Sequence, residues 1–481
     1  MTRTLPGDYQ DPVIETASTP PGQATLLFNK GTLTIDGESN PSGRIGGNDW
    51  KFDPRIGRWV CDARDYYLLD LTGVNDKAKA WGSVSLPDQH SLHPLRDAQK
   101  EAIKGWLPKK RGVVIKPTGA GKTQVALHLI HRLKITTLIV APTIDIMIAW
   151  KAEIMECLGY ECGVVGDGEH RPLPLTVTTY ASACIHMETL GNKFGCIFWD
   201  EVHHLEGEYR AEAARMSMAP YRLGLTATPP APADRAKLID LVGEIAYEQR
   251  IEDAVGISLA HYDTIQYPVS IPLVELRRFK RMGRILSAFK RKRARALNRP
   301  YDSKSIAFEA GRGEKEAKKM LRLVYQRKEI LEGAESKLNM IETLFLRHRG
   351  VPCIVWAGNM DMARKIATRF LIPVMSGECD TEERSAIVRK FSEGKYHAVV
   401  ACKLMTEGTD VPTAKLGIVV GGSGTETDAI QRLGRLLRIT GNERALLYDV
   451  HCVRTSDEKR AFARSNNSTY NFRDGMKKRP E

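Results

Sequence analysis

Short apolar runs alternate with helix-like stretches over two long parts of the chain, and this alternation leaves few folds open. The first set reads GVVIKP, TLIVAP, LTVTTY, CIFWDE and YRLGLTATP; the second reads PCIVWAG, PVMSG, HAVVAC, KLGIVVGG and ALLYDV. Brief apolar strands separated by helices predict parallel sheets covered on both faces. Ahead of them, ATLLFNKGTLTIDG alternates apolar and polar residues around Lys30-Gly31, the pattern of a hairpin. Asn40-Pro41 and Gly46-Gly47 mark further turns. The predicted organisation is a small β-containing domain over 1–90, an α/β lobe over 91–255 and a linker with a basic helical insert over 256–345. A second α/β lobe over 346–465 and a polar tail over 466–481 complete it.

The charge is unevenly placed. The chain carries 71 Lys and Arg against 58 Asp and Glu, a net of +13. Between Ile271 and Ile330 there are 19 basic and 6 acidic residues, so this one segment holds the whole excess (19 − 6 = 13). From Leu276 to Tyr301 eleven Lys and Arg occur with no acid. Such a run is either a solvated helical face or a phosphate-binding element, and charge alone does not choose between them.

Composition closes off other classes. A chain of 481 residues, 42% hydrophobic and 27% charged, can bury several cores and is not disordered throughout. No run of about 18 apolar residues is present, so no membrane span is expected. The first residues lack the apolar centre of a signal peptide, and the expected location is the cytoplasm. Nine cysteines without a CxxC pair predict buried thiols rather than zinc ligands or disulfides.

Two constellations carry chemistry. The strand GVVIK runs into Pro117-Thr118-Gly119-Ala120-Gly121-Lys122-Thr123 and then the helix QVALHLIHRL. Glycines let a backbone wrap phosphates, and the helix start directs free N–H groups at them. Lys122 would reach the β- and γ-phosphates of ATP, and the Thr123 hydroxyl would hold magnesium. The strict phosphate-loop pattern places glycine at 116, where this chain has lysine. The second constellation is Asp200-Glu201, at the end of an apolar strand. Buried carboxylates need a cation or hydrogen-bond donors. Asp200 would hold magnesium and Glu201 would deprotonate the attacking water. His203 and His204 follow without a third metal ligand nearby, which favours contacts that couple the lobes.

These residues resemble superfamily 2 helicases and translocases. Asp200-Glu201-Val202-His203 is similar to motif II, Leu225 to Pro229 (including Thr226 and Thr228) to motif III, and Thr406 to Pro412 to motif V. Gln431-Arg432-Leu433-Gly434-Arg435-Leu436-Leu437-Arg438 fits motif VI. Arg96 and Gln99 match the adenine-reading motif. Pro142 and Thr143, with Trp150, resemble motif Ia, and Thr179-Tyr180 a later strand-contacting motif. DEVHH, GLTATPP, EGTDVP and QRLGRLLR lean toward the XPB-like group, including phage UvsW-type and RadD-type proteins.

The resemblance implies two tandem RecA-like lobes with ATP and magnesium between them. Arg96, Gln99, Thr118, Gly119, Ala120, Gly121, Lys122, Thr123, Gly408 and Asp410 would contact nucleotide. Gln431, Arg435 and Arg438 would complete the catalytic set, the arginines neutralising the γ-phosphate. Thr226, Thr228, His203 and His204 would couple ATP state to the nucleic-acid groove. Pro142, Thr143, Thr179 and Tyr180 would touch DNA, joined by Arg277, Arg278, Lys280, Arg281, Arg284, Arg291, Lys292 and Arg293 of the insert. Phe279 and Phe289 are expected in the core. The implied activity is an ATP-dependent DNA helicase or translocase on branched DNA, acting as a monomer. An RNA helicase and a duplex translocase without strand separation are the alternatives.

Overall fold

The computed structural model describes residues 24–47, 50–88, 91–228, 230, 232–257, 259–402, 414–422 and 444–465. They form three sheets, of five, eight and six strands.

The amino-terminal sheet has the order β3-β4-β2-β1-β5, built from β1 (Thr25–Asn29), β2 (Thr32–Asp36), β3 (Lys51–Asp53), β4 (Arg58–Asp62) and β5 (Asn75–Asp76). β1 and β2 pair antiparallel across Lys30-Gly31, both at positive φ (45° and 84°). That is the geometry a two-residue hairpin turn needs, because it matches the right-handed twist of the strands. A Cβ on Gly31 would stand 2.4 Å from Met216 Cγ, so the hairpin tip lies against the first lobe. The segment that follows is stitched to that lobe. Asn192 Nδ2 donates to the Ala78 carbonyl (2.9 Å), and the Val84 N–H donates to the Lys134 carbonyl (2.9 Å).

The first lobe is built on β6 (Arg111–Ile115), β7 (Thr137–Ala141), β8 (Gly163–Gly166), β9 (Glu169–Arg171), β10 (Leu175–Thr179), β11 (Cys196–Asp200), β12 (Tyr221–Thr226) and β13 (Ile245–Glu248). Their order is β13-β6-β12-β11-β7-β10-β8-β9, parallel except for β9. One face is covered by α1 (Asp97–Trp106), α2 (Lys122–Leu133) and α3 (Ile144–Leu158). The other is covered by α4 (Tyr180–Leu190), α5 (Glu208–Arg215) and α6 (Pro232–Leu241). With both faces dry, β7, β10 and nearly all of β11 are buried along their length, which is why they read as continuous apolar or threonine runs.

The second lobe corrects one boundary. β14 (Tyr262–Val269), drawn into the 256–345 insert from sequence, pairs parallel along its whole length with β19 (Ala445–Cys452). The sheet is β14-β19-β18-β15-β17-β16, with β15 (Cys353–Ala357), β16 (Val374–Met375), β17 (Ala398–Cys402) and β18 (Leu416–Val419). The basic segment therefore grows out of the edge strand of the second lobe. It comprises α7 (Leu273–Leu297), α8 (Ser303–Gly311) and α9 (Lys315–Glu332). The chain then returns through α10 (Glu335–Arg347), and α11 (Met360–Phe370) and α12 (Thr381–Ser392) complete the numbered helices used below. None of the described helices is long and apolar enough to cross a membrane.

Candidate nucleotide and nucleic-acid site

In a parallel sheet the carboxyl ends of the strands are where ligands bind, and the chemistry gathers there. β6 ends at Ile115 and the loop turns back, with the Ala120 N–H on the Pro117 carbonyl at 3.1 Å. Gly119 and Gly121 have φ of 83° and 79°. Gly121 is the residue immediately before α2, so the free N–H groups of that helix start open toward the loop. Thr118 Oγ1 is buried and has no hydrogen-bond partner among the described residues, which leaves a donor for an oxygen-rich ligand. A cradle of this kind, with Lys122 at its rim, fits a nucleotide triphosphate.

Gln99 is held behind the loop rather than open to solvent. Its Oε1 accepts from the Arg96 N–H (2.8 Å) and its Nε2 donates to the Gly121 carbonyl (3.1 Å). A Cβ at Gly121 would stand 2.2 Å from that Nε2, so glycine is required there both for its φ and for this approach. Lys116, the departure from the usual pattern, is 1% exposed and bonded to other elements of the lobe. Its Nζ donates to Gln249 Oε1 at 2.6 Å and lies 5.3 Å from the centre of the Tyr247 ring. Burial, and then the positive charges of Arg96 and Lys122, pull its pKa down to about 8. The sign follows. The folded chain releases this proton more readily than the unfolded one, so stability rises between about pH 8 and the ordinary lysine range. Lys116→Met is expected to remove that rise, measured as urea unfolding midpoints at pH 7.5 and 9.5. Equal pH dependence in both proteins would refute it.

Asp200 and Glu201 close the front of the loop. Lys122 Nζ is 3.4 Å from Glu201 Oε1, and both side chains are nearly buried. Glu201 adopts φ of 47°, a left-handed conformation that costs a non-glycine residue energy and turns its side chain back toward Lys122. Asp200 Oδ1 accepts the Glu201 N–H (3.0 Å), and Asp200 Oδ2 accepts the Trp150 indole N–H (2.9 Å). Burial and the neighbouring Glu201 charge raise the Asp200 pKa. For Glu201 burial acts the same way, but Lys122 and His203 outweigh it and its pKa falls. Two carboxylates facing one ammonium, with Thr123 in the first turn of α2, form a donor set suited to a hard divalent cation shared with phosphate oxygens.

His203 bridges to the third motif. Its Nδ1 is 3.6 Å from Glu201 Oε2 and 3.3 Å from Thr226 Oγ1. Thr226 Oγ1 in turn accepts the Thr228 N–H (3.1 Å). His204 stacks on His203 at 4.7 Å between ring centres and packs against Tyr180. The structure thus joins His203 and Thr226 directly to Glu201, and Thr228 to it through Thr226.

Two sequence expectations change here. Tyr180, expected on DNA, is 1% exposed and donates its hydroxyl to the Asp200 carbonyl at 2.9 Å. Thr179 is also buried, and its Oγ1 caps α4 by accepting the Ser182 N–H (3.2 Å). Tyr180 thus supports motif II from inside, and Thr179 serves as a helix cap. Pro142 and Thr143 remain half-exposed at the start of α3, where Thr143 Oγ1 caps the helix. On the insert, Arg277, Arg278, Lys280, Arg281, Arg284, Arg291 and Lys292 are exposed, while Leu276, Phe279, Met282 and Leu286 form the buried stripe of α7. Arg293 is the exception. It is half-buried, pairs with Glu309 at 3.5 Å and lies over the Phe289 ring. Gln431, Arg435, Arg438, Gly408 and Asp410 lie outside the described residues. Sequence reasoning missed the roles of Trp150 and Gln249. A tryptophan midway along an amphipathic helix was the available sign of the first; nothing local marks the second.

The fold and this site define a nucleic-acid motor ATPase of superfamily 2. Residues 92–231 match the family model of the type III restriction enzyme res subunit, and residues 336–440 match the helicase conserved C-terminal domain. The chain is 39% identical over 397 residues to the DNA 3'-5' translocase XPB2 of Sulfurisphaera tokodaii, covering 82% of this chain and 90% of that protein. It is 27% identical over 380 residues to the DNA 3'-5' helicase XPB of Kineococcus radiotolerans (76% of this chain) and 26% identical over 380 residues to the putative DNA 3'-5' helicase Rad25 of Halobacterium salinarum (77%). It spans 61% and 56% of the lengths of those two. The chain belongs to the XPB-like group of superfamily 2 DNA helicases and translocases.

Proposed function

We propose that this chain is an ATP-driven motor that moves 3′ to 5′ on DNA and remodels branched substrates such as forks and Holliday junctions. The polarity follows the names of its relatives. The observation that carries the reading is the exposed basic face of α7, built into the second lobe, together with the nucleotide site in the first. Lys122 would hold the β- and γ-phosphates, and Thr123 and Asp200 would hold magnesium, which neutralises charge on the phosphate oxygens. Glu201 orients the attacking water and takes its proton as the bond from the γ-phosphorus to the bridging oxygen breaks. Arg435 and Arg438 would complete the site from the second lobe. Because the arm is rooted on β14, it moves with that lobe, and closing and reopening the cleft shifts its grip along the backbone. Phosphate contacts of this kind are independent of sequence.

The test is a panel of forks, four-way junctions, flaps, linear duplexes and RNA hybrids, with ATP turnover measured beside unwinding. Branched DNA should stimulate both most strongly; equal stimulation by linear duplex or by RNA would overturn the substrate assignment. The arm has its own test. Arg284, Arg291, Lys292 and Arg295 replaced together by Ala, with Arg293 left in its pair with Glu309, should weaken DNA binding. Each phosphate that the variant no longer neutralises lowers the slope of log affinity against log salt by about 0.9 on duplex DNA. Unchanged affinity and slope would remove the arm from the DNA path.

A further inference from the structure

Helix α3 makes two contacts, one in its first turn and one near its middle, that the motif pattern does not assign. In its first turn, Asp145 forms an ion pair with Arg384 of α12 in the second lobe, and Arg384 Nη2 also donates to the Cys379 carbonyl at 3.0 Å. Five residues on, Trp150, 3% exposed, gives its indole N–H to Asp200 Oδ2. With a rise of about 1.5 Å and a turn of about 100° per residue, positions 145 and 150 lie about 7.5 Å apart along the axis and about 140° apart around it. One face of the helix is therefore anchored on the second lobe while another holds a carboxylate of the nucleotide site.

A buried tryptophan ordinarily finds some partner for its N–H. In this fold that need is not absolute, since the Nε1 atoms of Trp199 and Trp356 are buried without a hydrogen bond among the described residues. Trp106 uses a backbone carbonyl, that of Arg222. Trp150 instead binds the one carboxylate oxygen of Asp200 that the Glu201 N–H leaves free. The local N–H moves with the loop, so the indole is the contact that refers the carboxylate to a distant element.

We propose that α3 is the rod through which the second lobe acts on the nucleotide site, with Trp150 as a positioning residue for Asp200 and the Asp145–Arg384 pair as the anchor. The inference rests on reading Asp200 as the holder of magnesium. Separation of the lobes breaks the anchor and frees α3 to shift; closure seats it and aligns the carboxylate. Thr143, the cap of the same helix, is a candidate contact to DNA, so strand binding and lobe closure bear on one element.

The full chain with Trp150→Phe, titrated with manganese in the presence of ADP and read by electron paramagnetic resonance, tests the rod without turnover. Metal affinity is expected to fall about tenfold, the scale for removing a hydrogen bond that orients a metal ligand. Trp150→Tyr, which retains a donor at the ring edge, should regain part of it. Unchanged affinity, or an equal loss in both variants, would overturn the role of Trp150. The anchor is tested by Asp145→Ala, Arg384→Ala and the double variant, through ATP turnover stimulated by forked DNA. Each single change should reduce stimulation about fivefold or more, and the double no further than either one. Additive losses, or no loss, would overturn the rod even if Trp150→Phe unfolds before it can be titrated. Lys122→Ala separates the two levels. If it keeps full turnover, the motor reading itself is wrong; if it is inactive while the α3 variants behave as the parent, only the rod is wrong.

Discussion

Glu201→Gln is expected to lower ATP turnover by about 100- to 10,000-fold, the range for removing a positioned general base, while nucleotide binding persists. The substitution keeps the shape of the side chain and is no worse suited than glutamate to the left-handed backbone at φ 47°. It removes only the capacity to accept a proton and the charge that faces Lys122 at 3.4 Å and His203 at 3.6 Å. Because Lys122 and His203 outweigh burial, the carboxylate is held ionised at neutral pH. It can therefore orient water from the start of each cycle. Steady-state turnover with saturating DNA, beside equilibrium binding of a fluorescent ATP analogue, separates the two effects. A Gln variant that turns over within threefold of the parent would show that another group takes the proton.

The second large effect concerns stability. Arg222, at the start of β12, is fully buried and its guanidinium meets four backbone carbonyls. Nε donates to Ala219 (3.0 Å), Nη1 to Ala214 (3.0 Å) and Leu241 (2.7 Å), and Nη2 to Ser217 (2.5 Å). It thereby ties the ends of α5 and α6 to the strand whose far end carries Thr226. Arg222→Met should destabilise the first lobe by about 3–5 kcal/mol, because several buried acceptors lose their donor at once. Arg222→Lys should recover little, since one ammonium cannot reproduce the planar fork. The shift in the lobe's denaturant midpoint measures both. A loss under about 1 kcal/mol in the Met variant would mean that water or neighbouring N–H groups take over these carbonyls.

Much of the site could be read directly because its residues are close in sequence. A strand, two glycines, a lysine and a helix start make a phosphate cradle wherever they fold, and Asp200-Glu201 at a strand end lies on the same edge of the same sheet. The hairpin at Lys30-Gly31 is local in the same sense. Phe279 lies in the core as expected, 3% exposed, and Phe289 is partly buried against Tyr301 and its neighbours. What failed was direction. Tyr180 follows a strand end, as a DNA-contacting residue would, but its ring turns into the lobe to meet the Asp200 carbonyl. Arg293 sits in a basic run that looks uniform in sequence, yet the α7–α8 packing draws it onto Glu309. Lys116 occupies a glycine position, and its ammonium is taken up by Gln249, far along the chain, with the Ala98 carbonyl and the Tyr247 ring beside it.

By itself the sequence determined the α/β class, the phosphate loop, the carboxylate pair, the motif order and the location of the whole surplus charge, since each depends on neighbouring residues or on a short period. Only the tertiary structure decided that β14 belongs to the second sheet, so that the basic arm is part of the second lobe rather than a linker between lobes. Only it placed Trp150 on Asp200 and Asp145 on Arg384. Parallel strand pairing and contacts between lobes join residues separated by long stretches of chain, and no local pattern encodes which distant partner a side chain will meet.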